Sequence, residues 1–136
     1  LNALIQWVSE LPSDKIKNSE IGVLAFTNKQ LQVVQEHFKQ AGIESLMLTS
    51  DKADDQKNAG VRLCTMHRSK GLEFKAVAIP FMSSSKFPPK WLLDRAIDEA
   101  DREDLELQYK SLLHVAATRA KAFLRVSWSG EPSPFL

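Results

Sequence analysis

The sequence predicts an α/β fold, a three-layer sandwich in which a mainly parallel sheet is covered by helices on both faces. Three observations point there. Apolar runs of strand length alternate with segments whose apolar residues recur at three- and four-residue spacing. The order strand, helix, strand over residues 21–49 forms a βαβ unit, which pairs its strands in parallel through a right-handed crossover. Two later runs, residues 61–66 (V-R-L-C-T-M) and 76–81 (A-V-A-I-P-F), are almost wholly apolar, as strands are when both of their faces are covered.

At the amino end, Leu1, Leu4, Ile5 and Val8 share one helical face until Pro12 stops it. Residues 1–20 are therefore expected as a lead-in helix and a polar linker. Residues 21–27 (I-G-V-L-A-F-T) follow as a buried strand. Asn28 is a candidate cap for the next helix, with Leu31, Val34 and Phe38 on its inner face and Gly42 as its stop. Residues 45–49 supply a second strand, and the charged stretch 51–60 is a connection with room for one helical turn. After the two central strands, residues 83–89 (S-S-S-K-F-P-P) are a loop by composition. Residues 90–106 read as a charged helix with Trp91, Ala96, Ile97 and Ala100 inward. Residues 107–121 read as its continuation, with Tyr109, Leu112, Leu113, Ala116 and Ala120 on one side. A last strand covers 123–128, the domain spans 21–130, and residues 131–136 are left as a tail.

A chain of 136 residues holds one hydrophobic core. Its 43% hydrophobic and 26% charged residues are those of a globular protein rather than a disordered or fibrous one. The longest apolar run, residues 76–82, is far shorter than the roughly 20 residues of a membrane-spanning helix, so no membrane partner is expected. A net charge of +1 gives no general attraction for polyanions, and contact with nucleic acid would need a local cluster. Cys64, the single cysteine, reads as a small buried hydrophobe. It supports neither a disulfide framework nor a metal set, which suits a cytoplasmic location. The chain begins at Leu1 and ends at Pro-Phe-Leu, which reads as a fragment of something longer.

Between the two apolar runs lies the polar segment 67–73, H-R-S-K-G-L-E. Loops beside buried strand ends are where open α/β sheets bind ligands; the alternative is an ordinary charged connection. Arg119, seven residues after Leu112, would face the same way as that leucine on a continuous helix. It could then meet a salt-bridge partner, sit at a helix C-terminus or await a ligand.

Two motifs narrow these alternatives. Thr65-Met66-His67-Arg68-Ser69-Lys70-Gly71-Leu72-Glu73-Phe74 resembles the T-x-H-x-x-K-G-L-E-[WF] motif of UvrD/Rep-type superfamily 1 DNA helicases. Val115-Ala116-Ala117-Thr118-Arg119-Ala120-Lys121 resembles the V-A-x-T-R-A motif that follows it, with Phe87-Pro88 between as in the family. The resemblance runs from about Ile21 to Trp128 and implies the second, C-terminal RecA-like motor domain, a P-loop NTPase-like fold. It implies Arg119 as an arginine finger for the γ-phosphate, the catalytic residue. It implies Glu73 as acceptor for the ribose hydroxyls, with Gly71 and Lys70 beside it on the nucleotide, and Thr65, His67 and Arg68 on single-stranded DNA.

Departures and absences qualify the match. Phe26 stands where the family has an arginine, and His114 where it has a tyrosine; His114 is read as a packing or hydrogen-bonding residue. Asp98-Glu99-Ala100-Asp101 spells the four-letter motif of another helicase group, but a magnesium-holding carboxylate belongs at the end of a buried strand. That match is read as coincidence in a charged helix. The five glycines, Gly22, Gly42, Gly60, Gly71 and Gly130, never frame a G-x-x-x-x-G-K-[ST] loop. ATP and Mg²⁺ would therefore be held mostly by an N-terminal helicase domain of the same parent chain, and this chain alone would hydrolyse essentially none. No metal site of its own is expected. The alternative to a motor domain is a degenerate relative that binds DNA or protein without catalysis.

Overall fold

The computed structural model describes residues 1–49 and 57–136. Its elements are α1 (Asn2–Glu10), a 3-10 turn (Asn18–Glu20), β1 (Ile21–Ala25), α2 (Asn28–Gln40), β2 (Ser45–Met47), β3 (Val61–Thr65), β4 (Phe74–Ile79), α3 (Lys90–Leu93), α4 (Glu99–Ala117) and β5 (Ala120–Val126). One sheet of order β2-β3-β1-β4-β5 has every neighbouring pair parallel. The α/β reading therefore holds. Most of the stretch 51–60, with its expected helical turn, lies outside the described residues.

The central strand β1 is buried along its whole length because it carries an apolar residue to each face. Ile21, Val23 and Ala25 join Leu4, Val8, Leu31, Val34 and Phe38 from α1 and α2 in one core cluster. Leu24 joins Cys64, Met66, Val77, Ile79, Leu113 and Ala116 in a second cluster beneath α4. Two clusters on opposite faces of one sheet make the three layers. Residues 1–20 belong to this body, since Leu4, Val8 and Ile16 are part of the first core.

Local chemistry sets the ends of α2. The sequence reading gives its cap to Asn28, but the cap is Thr27, whose Oγ1 accepts the Gln30 N–H at 3.1 Å while Gln30 Oε1 accepts the Thr27 N–H at 3.3 Å. At the other end Gly42 takes φ +75°. There the Ile43 N–H reaches the Phe38 carbonyl and the Gly42 N–H reaches that of Lys39, closing the helix in a Schellman turn.

The region after residue 89 differs most from the sequence reading. The expected long helix is broken between Leu93 and Glu99. Its supposed inward residues are not buried: Ile97 is 92% and Trp91 59% exposed, and Leu93 packs instead. The cause is Asp98, which accepts the Asp101 N–H at 2.8 Å while Asp101 Oδ2 accepts the Ile97 N–H at 2.9 Å. The D-E-A-D run is thus a helix start, favoured by carboxylates at a helix N-terminus. Helix α4 then ends at Ala117, before Arg119, because residues 120–126 are drawn into the sheet beside β4. His114 is exposed rather than packed. Residues 131–136 fold back: the Ser133 N–H donates to the Met82 carbonyl at 2.7 Å, and Phe135 packs edge-on against Phe87.

Candidate functional site

Parallel order forces the segment between β3 and β4 to travel. β3 ends level with the carboxyl end of β1, at the pair Ala25 and Thr65, whereas β4 is already level with Ile21 at Ala76. Phe74 lies two residues further down, so Thr65 and Phe74 are separated by roughly 20 Å at about 3.3 Å per strand residue. Residues 66–73 cross that span over β1. The two ends of the polar segment therefore stand at opposite edges of the sheet.

The crossing is braced by its own hydrogen bonds. Thr65 Oγ1 accepts the Arg68 N–H at 3.2 Å, and Ser69 Oγ donates to the Met66 carbonyl at 2.6 Å. The Leu72 N–H then donates to the Ser69 carbonyl at 2.9 Å. Ser69 is wholly buried, a supporting role that the motif letters did not signal. Gly71 takes φ +86°, and a Cβ there would meet nothing within 4 Å. Gly71 is thus required by backbone conformation rather than by close approach of a neighbour.

At the upper edge His67 is exposed, and its ring leans on Phe26 at 5.5 Å between centroids. Phe26 in turn packs on Phe87 and Tyr109. Phe26 is thus the platform on which the His67 ring rests. Burial raises the Tyr109 pKa above its ordinary value, with Arg95 opposing slightly. Arg68 Nε reaches the Thr49 carbonyl at 3.4 Å. Beside this edge opens a cleft of about 700 Å³, lined among others by Phe26, Lys29, Phe81, Lys86, Lys90 and Trp91. A second cleft of about 460 Å³ shares Phe81 and Lys86 with it and adds Arg125 and Trp128. Phe81 adopts φ +66° with the Lys86 ammonium 4.9 Å above its ring, and Arg125 Nε is buried without a hydrogen-bond partner.

At the lower edge Glu73 is exposed and its Oε2 lies 3.4 Å from Lys121 Nζ. The Arg119 carbonyl accepts the Phe74 N–H at 2.9 Å, so Arg119 adjoins the end of the crossing. Its guanidinium meets three neutral oxygens: Nε donates to the Val115 carbonyl at 2.9 Å, Nη1 to the Leu72 carbonyl at 3.4 Å and Nη2 to Thr118 Oγ1 at 3.1 Å. Arg119 therefore sits in the turn after α4, against the helix C-terminus, and not on a continuing helix face. Lys70 is exposed between the two groups. The structure thus brings Arg119 to Glu73 and Gly71, and sets Thr65, His67 and Arg68 apart. Lys121 went unassigned in the sequence reading; its adjacency to Glu73 follows only from the register of β5 against β4.

Chemically, the upper edge offers aromatic faces and cations, the combination that suits bases and phosphates of an extended strand. The lower edge offers an arginine that no carboxylate among the described residues pairs with, beside an exposed carboxylate. Among the described residues no group of three or more His, Cys, Asp or Glu is placed to hold a metal, and no helix is long and apolar enough to cross a membrane.

Comparison with known proteins bears on the family and the fold. The UvrD-like helicase C-terminal domain family matches residues 43–131. The ATP-dependent DNA helicase PcrA of Staphylococcus epidermidis is 41% identical over 83 residues, 61% of this chain and 10% of that protein. A "Probable DNA helicase II homolog" of Mycoplasma genitalium is 38% identical over 85 residues, 62% of this chain and 11% of that protein. The chain thus spans about a tenth of the length of these relatives. The solved C-terminal domain of a possible DNA helicase from Lactobacillus plantarum WCFS1 superposes with a TM-score of 0.67 at 16% identity, covering 98% of this chain and 69% of that one, which shows a shared fold. With the family match covering most of its length and both motifs in place, the chain belongs to the UvrD-like helicase C-terminal domain family.

Proposed function

We propose that this chain is the second motor domain of an ATP-dependent DNA helicase, working with an N-terminal domain of the same parent protein. The observation that carries the reading is the crossing of residues 66–73, which joins a cationic, aromatic edge to an edge bearing an arginine held by neutral oxygens and an exposed carboxylate paired with Lys121. At the upper edge Thr65, His67 and Arg68 contact the phosphates of single-stranded DNA without reading sequence. The two clefts extend that surface, with Lys86 and Arg125 as further phosphate contacts.

At the lower edge the residues fit part of a nucleotide. Glu73 can accept hydrogen bonds from ribose hydroxyls once Lys121 yields, and Lys70 and Gly71 lie beside it. Three of the five guanidinium N–H groups of Arg119 are given to neutral oxygens, and the other two can meet phosphate oxygens, where the cation offsets charge that builds in the transition state. ATP with Mg²⁺ would supply the phosphoryl group and its leaving-group chemistry; among the described residues no cluster of His, Cys, Asp or Glu is placed to hold the metal, and its ligands would come mostly from the partner domain. Closure of the two domains would complete the site. The non-catalytic alternative has less support, since both edges keep their motif side chains.

ATP turnover by the full-length protein, with saturating single-stranded DNA, tests the reading. Arg119→Ala is expected to lower kcat by about 10³-fold or more with folding intact. Near-normal turnover in that variant would remove the finger assignment.

A further inference from the structure

Thr118 is a motif residue to which the reading above gives no task, and its surroundings supply one. Its side chain is exposed at the C-cap of α4, where a hydroxyl brings no gain from burial. The hydroxyl is nonetheless committed twice: it donates to the Val115 carbonyl at 2.8 Å and accepts from Arg119 Nη2 at 3.1 Å. Val115 also receives Arg119 Nε at 2.9 Å, and the third side of the guanidinium faces the Leu72 carbonyl at 3.4 Å. The planar cation is therefore held by one acceptor on α4, one on its cap and one on the crossing.

We propose that Thr118 is a positioning residue for Arg119, its hydroxyl fixing the plane in which the guanidinium is presented to the nucleotide. The proposal rests on the finger assignment for Arg119. An arginine with several rotatable bonds presents its charge in one geometry only when its neighbours restrict it, and such pre-arrangement is what makes an electrostatic contact effective in the transition state. The long Leu72 contact ties the same group to the segment whose other end carries Thr65 and His67. Thr118 thus holds the guanidinium from the side of α4.

Two substitutions isolate the hydroxyl. Thr118→Val keeps the shape and removes the bond, while Thr118→Ser restores the bond and removes the methyl group. In the full-length protein with single-stranded DNA, Thr118→Val is expected to lower kcat for ATP about five- to tenfold, as loss of one oriented hydrogen bond does. The KM for ATP should stay within about twofold, because the lost interaction acts in the transition state. Thr118→Ser should return kcat to near the parent value. Independently of turnover, the guanidinium N–H signals of Arg119 in the 136-residue chain should broaden and exchange faster in Thr118→Val than in the parent or Thr118→Ser.

Unchanged kcat in Thr118→Val, a Thr118→Ser variant as impaired as the valine, or unaltered Arg119 signals would each overturn the proposal. Combination with Arg119→Ala separates it from the reading beneath. If Arg119→Ala turns ATP over normally, the finger itself is misassigned. If Arg119→Ala lowers kcat as expected but Thr118→Val lowers the residual turnover further by the same factor, Thr118 acts through something other than Arg119.

Discussion

At the scale of single residues, position 71 shows why one motif letter is glycine. A side chain would find open space there, but φ +86° is a conformation that costs a residue with a Cβ about 1–2 kcal/mol. Gly71→Ala is expected to lower the unfolding free energy by that amount, seen in chemical denaturation as a lower midpoint at an unchanged m-value. Tyr109 is the only tyrosine, so tyrosinate absorbance reports on it alone. Burial raises its folded pKa above the unfolded value. Its neutral form therefore supports the fold below the ordinary tyrosine range, and that support is lost as pH rises through the folded value. A titration midpoint above that of free tyrosine, with stability falling over the same interval, is the expected result. The chemistry-bearing residues Thr65, His67, Glu73 and Arg119 were legible as letters. Their neighbours were not: nothing local in the sequence says that Phe26 supports His67 or that Lys121 meets Glu73. Those contacts come from strand pairing across 41 and 48 positions of chain.

Secondary-structure elements were legible where their pattern was strong and were misread where local capping overrode it. Helix α2 carries its inner stripe Leu31, Val34 and Phe38 as the spacing requires, yet its cap is Thr27, one residue before the Asn28 that the sequence suggests. Thr27 and Gln30 satisfy each other's backbone N–H groups, a reciprocal bond that Asn28 cannot make from its position. Thr27→Ala should therefore cost about 1 kcal/mol of stability and Asn28→Ala much less, a pair of thermal unfolding measurements that would reverse if the cap were Asn28. By the period of its charges and apolar residues the stretch 90–106 reads as one helix. Asp98 and Asp101 instead restart the chain at Glu99, leaving Ile97 in solvent. Strand β5 begins earlier than its apolar letters suggest because its pairing with β4, not its own hydrophobicity, defines it; Phe123 and Leu124 remain nearly half exposed.

At the scale of the molecule, the α/β class followed from the βαβ order and two nearly continuous apolar runs, and the strand order placed β1 at the centre with a cluster on either face. What the sequence alone could not show is that residues 66–73 traverse the sheet, so that one ten-residue motif has two ends facing different directions. Separation of that kind predicts separable functions. The most direct test measures the affinity of the full-length protein for single-stranded DNA beside its ATP turnover, in Arg119→Ala and in His67→Ala. Arg119→Ala is expected to bind DNA as the parent does while losing turnover. His67→Ala should bind DNA more weakly and retain the turnover that does not depend on DNA. If Arg119→Ala instead lost DNA affinity as severely as His67→Ala, the two edges would not serve separate ligands and the account would be contradicted.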